Sequence, residues 1–92
     1  MTQTEMAIRT VLVNEEKELR QRMNELAEKY DYRGITFSNE DDDATVGESL
    51  QRGLNSRWLN IVRLISVGDF SIGWIARELD MDTLAKVHRA MP

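Results

Sequence analysis

The sequence predicts an all-α fold: a long N-terminal amphipathic helix, then a compact C-terminal part of about three helices over residues 46–66, 71–79 and 83–91. Three observations predict it. Proline occurs only at position 92, so no internal residue removes a helical N–H donor. Apolar residues recur at intervals of three and four in both halves of the chain, the spacing of one helical face. Threonine, serine and aspartate stand just ahead of these periodic runs, where their oxygens can accept from free backbone N–H groups at a helix start. Ninety-two residues make a single domain over 1–92, and a chain of that length buries only about 60–65% of its unfolded surface. With no cysteine and one histidine, His88, neither disulfides nor a thiolate zinc site can supplement the core. No metal or cofactor is expected.

The first helix is expected over about residues 3–30. Thr2 followed by Glu5 fits a capping box. Leu12, Leu19, Met23, Leu26 and Tyr30 form its stripe, with a missing beat at Glu16. Glu16–Arg20, Glu18–Arg22 and Glu25–Lys29 each place an acid four residues before a base, worth about 0.2–0.5 kcal/mol per pair on an exposed face. Gly34 can supply the positive φ of a terminal turn. Residues 35–37, Ile-Thr-Phe, alternate as a short strand would, but no partner strand is visible, so an extended segment is expected.

Residues 38–45, SNEDDDAT, form an acidic linker. Counted from Asp41 or from Asn39, a calcium loop fails, because Arg52 or Leu50 stands where the closing acid belongs. Thr45 with Glu48 reads as the capping box of the next helix. In that helix Val46, Leu50, Leu54, Trp58, Ile61, Val62, Leu64 and Ile65 fall within an arc of about 160°. Leu59 lies opposite, Arg52 and Arg63 share the polar face, and Arg57 at the arc's edge should snorkel or pair with an acid. Gly53 costs about 1 kcal/mol relative to alanine, which suggests that another backbone comes close. Val67-Gly68-Asp69 then breaks the helix. Asp69 or Ser71 can cap the third helix, with Ile72, Ile75, Ala76 and Leu79 on one face. Asp82 is expected to cap the last, whose apolar side is Leu84, Val87 and Met91, with His88 packed beside Leu84.

Residues 71–91 resemble a helix-turn-helix. Ala76 stands where the motif wants a small residue, Leu79 and Met81 flank the turn, and Arg77, Lys86 and Arg89 are basic. The resemblance implies DNA contact through Arg77, Lys86, His88 and Arg89. Against it, Asp80 replaces the usual glycine, and Lys86 and Arg89 stand where the second helix should be apolar. The displaced apolar side turns that helix by about 100°.

Charge is unevenly spread. Residues 1–37 sum to −1, residues 38–49 to −5 and residues 50–92 to +2, within a total of −4. Only the last could approach phosphates without repulsion. The N-terminus has no basic start and no small-residue cleavage pattern, and no segment reaches about 20 apolar residues, so a cytoplasmic, non-membrane location is expected. Catalysis lacks a nucleophile, a phosphate-binding glycine loop and a metal set. The sequence therefore favours a non-enzymatic protein–protein interaction module: an adaptor, subunit or inhibitor of a larger protein. Its expected contacts are Arg52, Leu59, Arg63 and Trp74, the last projecting away from its helix's apolar face. Leu19, Met23, Leu26 and Tyr30 offer a seam for self-association. The DNA-binding regulator is the second reading, and a third has Glu40–Asp43 imitating nucleic-acid phosphates.

Overall fold

The computed structural model describes residues 1–29 and 42–91, with residues 42–49 described in backbone only. The described chain forms four helices: α1 Gln3–Lys29, α2 Asp42–Val67, α3 Ile72–Glu78 and α4 Met81–Ala90. The predicted all-α architecture, one long helix and a three-helix C-terminal part, is the one observed. The expectations for Tyr30, Gly34, the Ile-Thr-Phe segment and the linker through Asp41 lie outside the described residues.

Thr2 opens α1 as expected. Its Oγ1 accepts from the Glu5 N–H at 3.1 Å and donates to Glu5 Oε1 at 3.2 Å. The carboxylate thus meets the hydroxyl of the capping residue, a variant of the reciprocal box. α2 starts at Asp42, so Thr45 lies in its first turn instead of ahead of it. Gly68 ends α2 with φ +75° and donates its N–H to Leu64 O at 3.2 Å, the left-handed terminus that glycine adopts at least cost.

α3 follows Ser71, whose side chain makes no capping bond; Asp69 Oδ1 accepts from the Ser71 N–H at 3.1 Å and shapes the turn. α4 is capped by Asp80 rather than Asp82. Asp80 takes the Thr83 N–H on Oδ2 at 3.1 Å and the Thr83 hydroxyl on Oδ1 at 2.7 Å. The second bond lets Thr83 sit fully buried with its hydroxyl satisfied, which removes the cost of an unpaired buried oxygen. Asp82 lies in the first turn of α4.

α1 and α2 run antiparallel. Trp58 lies level with Glu16 (Trp58 Nε1 to Glu16 Oε1, 3.5 Å), while Leu26 lines a groove with Leu50 and Leu54, farther back along α2. α4 packs on α1. α3 is tied to α2 through Asn60 Nδ2, which donates to Glu78 O at 2.8 Å, and through Arg63, which pairs with Glu78 Oε2 at 2.8 Å. The core is Ile8, Leu12, Leu19, Ile61, Leu64, Phe70, Ile75, Leu79 and Val87, drawn from all four helices and the α2–α3 turn. Each such side chain contributes about 1.5–3 kcal/mol on leaving water. In α1 no residue beyond Leu19 is buried. The last two turns of α1 and the Leu50–Leu54 region of α2 therefore make a two-helix arm that leaves Leu50 half exposed. The body is correspondingly elongated, 51 × 22 × 20 Å.

Three packing expectations are corrected. Gly53 meets no close backbone, since a Cβ built there finds nothing within 4 Å. Ala76 is exposed, so the buried face of α3 is Ile75 and Leu79 with Ile72 at its margin. His88 is exposed rather than packed beside Leu84, because α4 turns Thr83 and Val87 inward and so carries the position after Val87 outward.

Candidate functional site

The most unusual chemistry lies between the helices. Glu15 occupies the core stripe of α1 with Ile8, Leu12 and Leu19, and is 2% exposed. A carboxylate in that position demands compensation. Lys86 of α4 places Nζ 2.6 Å from Glu15 Oε2 and 3.3 Å from Glu18 Oε2; Arg57 of α2 places one Nη2 between Glu15 Oε1 at 3.3 Å and Asp80 Oδ2 at 3.4 Å. The short Lys86 contact is the strong one; the Arg57 contacts lie beyond the usual range for a charged pair. Hydrogen bonding to Glu15 raises the Lys86 ammonium above its ordinary 10.5; burial opposes this, and Glu18 adds to it. Burial by itself would raise Asp80, but the two Thr83 bonds and the Arg57 charge outweigh it and hold the carboxyl below its ordinary 3.8. Glu15 therefore joins α1, α2 and α4 at one point, and Asp80 links that point to the α4 cap.

This cluster decides the fate of several expected site residues. Lys86 faces α1 in ion pairs, which removes it from a DNA-facing set. Arg77, His88 and Arg89 remain exposed. Of the positions that carry the helix-turn-helix resemblance, Leu79 is buried in the core, whereas Met81 is 81% exposed and Ala76 faces solvent. Glu18 pairs with Lys86 instead of Arg22, while the expected Glu16–Arg20 pair forms at 3.4 Å.

Leu19 is fully buried in the protein's own core, which takes it out of the self-association seam. Met23 and Leu26 are half-buried on α1. Tyr30 lies outside the described residues, as do the side chains needed to judge Glu40–Asp43. Trp74 is half-buried and packs against the core.

The remaining expected contacts converge. Leu59 is 59% exposed, and Arg52 and Arg63 are exposed beside it. At about 100° per residue all three point the same way from α2. Val67, 56% exposed, extends the row Leu59–Arg63–Val67 at the four-residue spacing of a helical ridge. Arg63 also bonds Asn60 Oδ1 at 2.8 Å, so its guanidinium is held by Asn60 and Glu78 at the α3 side of the row. Val67 was not singled out by sequence; its position eight residues after Leu59 was the available signal. Among the described residues no group of three or more His, Cys, Asp or Glu could hold a metal, and no helix is long and apolar enough to cross a membrane.

The chain matches no family model, and no curated protein or solved structure is significantly similar to it.

Proposed function

We propose that the protein is a small non-enzymatic interaction module that binds a larger protein through the outward ridge of α2. One observation carries the reading: Leu59 and Val67 stay exposed on a single helix face, with Arg52 and Arg63 beside them, while the remaining helical faces near them are occupied by α1 and α3. Apolar side chains framed by arginine are the composition of an interface centre, where arginine supplies planar donors and the apolar groups exclude water. An exposed apolar ridge flanked by arginines suits docking on another protein, which is why an adaptor, subunit or inhibitor is the reading adopted. The DNA-binding reading is the weaker one: Arg77, His88 and Arg89 are exposed, but Lys86, the cation nearest the middle of α4, is spent on Glu15 and Glu18.

The test uses affinity capture from the native host with the full chain and with Leu59→Glu. The variant places a charge on an exposed position, so its helical circular dichroism should be unchanged. A partner retained by the wild type and lost by at least about tenfold, or 1.4 kcal/mol, from Leu59→Glu supports the ridge. Equal retention by both proteins sinks it, and light scattering on the same samples separates a second copy from a foreign partner.

A further inference from the structure

The interhelical ion cluster opens onto a cleft of about 300 Å³ lined by Arg22 of α1, Arg57 of α2, and Asp82, Ala85, Lys86 and Arg89 of α4. Four of its six lining residues are cations, delivered by three helices. They are not equivalent. Arg57 and Lys86 are already compensated by Glu15, Glu18 and Asp80. Arg22 and Arg89 are exposed and have no hydrogen-bond or ion-pair partner among the described residues. Arg22 and Arg89 therefore reach the same cleft from different helices with their donors unspent, and the fold holds their backbones because α4 is fastened to α1 by Lys86 on Glu15.

We infer that this cleft binds a phosphate group, free or as a monoester. Two guanidiniums present ten N–H donors in fixed forks. A carboxylate has two oxygens and is saturated by one fork; a phosphate dianion has enough oxygens and charge to engage both arginines at once. The cleft volume is at the lower end of the range for small-ligand sites, about 300–1,000 Å³, and leaves room for a substituent on the phosphate. An extended nucleic-acid backbone is a poorer fit, because it needs a continuous cationic track. Here the cations are gathered in one cleft that includes Asp82, and the adjoining hollow that shares Arg22 is lined by Glu18 and Glu25, on a chain of net charge −4. Asp82 opposes the bound dianion, and that repulsion provides a signature of its own. The site is separate from the α2 ridge, and its failure would leave the ridge untouched.

The full chain is titrated with inorganic phosphate and, separately, with a phosphoserine peptide, each against sodium chloride at matched ionic strength, following amide shifts by NMR. The expected result is saturable movement of the Arg22, Ala85 and Arg89 amides that chloride does not reproduce. Binding should weaken about tenfold or more in Arg22→Gln/Arg89→Gln, two exposed unpaired positions whose loss leaves the fold intact, and should tighten in Asp82→Asn. Tighter binding of the peptide assigns the phosphate to a modified partner, and tighter binding of inorganic phosphate to a small ligand. The inference is overturned if the amides fail to saturate at about 10 mM phosphate, above a millimolar dissociation constant, if the double variant binds as the wild type does, or if a DNA duplex is bound and both phosphate probes are not.

Discussion

Glu15 sits where an apolar residue would be expected, 2% exposed, and two cations from different helices reach it. Replacing an entire buried ion cluster by apolar groups is often neutral, whereas removing one member strands the others. Glu15→Gln should therefore destabilise the fold by about 2 kcal/mol, below the roughly 3–5 kcal/mol of a fully buried broken pair because Lys86 and Arg57 keep about a third of their side chains in water. Urea unfolding followed by tryptophan fluorescence measures it, and a change within experimental error would mean that both cations re-solvate freely. The same network fixes the pH response. Asp80 titrates lower when folded than its ordinary 3.8, so its contribution is present above that value and is lost as pH falls through the folded value. Lys86 titrates above 10.5 when folded, so its contribution is complete below 10.5 and is lost as pH rises further. Asp80→Asn should flatten the acid limb of the stability profile and leave the alkaline limb in place. None of this was visible as a cluster in the sequence, although its parts were. A charge interrupting the α1 stripe was placed one residue late, at Glu16. Arg57 at the edge of the α2 arc was expected to find an acid, and Lys86 stood where α4 should have been apolar. These three local irregularities compensate one another in space, across 42 and 71 residues of chain, a relation that helical periodicity does not encode.

Helix boundaries follow the chemistry of single residues at their ends. Gly68 closes α2 with φ +75°, where any Cβ is strained, so Gly68→Ala should cost about 1 kcal/mol or more. Gly53 and Gly73 lie inside α2 and α3 with open space at their Cβ positions. Alanine at either should stabilise by about 0.4–1 kcal/mol, read as a rise in the thermal midpoint. A loss at Gly53 would mean that a neighbour does approach that face. Breaks at Gly68 and between Leu79 and Met81 were legible because glycine and aspartate have few other uses beside apolar runs. The α4 cap was misplaced by two residues because Asp80 and Asp82 are both competent cap residues. The burial of Thr83, a tertiary fact, selects Asp80. The α2 arc was legible as amphipathic, yet only Ile61 and Leu64 are buried within its described part, since α3 and α4 cover one end of α2 and leave Leu50 to the arm.

The whole molecule divides its resources unevenly. One end has four helices around a shared core, and the other has two helices and a shallow apolar groove. A chain of 92 residues buries only about 60–65% of its unfolded surface. The fold absorbs most of the apolar surface, taking in both tryptophans at the margin of the core, and what remains on α2 is a short ridge with a definite direction. The seam that joins the two ends of the sequence is Lys86 on Glu15, 71 residues apart. At a synthesis rate of about 5–20 residues per second, α1 emerges roughly 4–14 seconds before its counter-ion does. The Glu15 carboxylate thus gains its two cations in sequence, Arg57 after 42 further residues and Lys86 only after 71, so the compensation that lets an acid sit in the stripe of α1 is complete only when α4 has been made.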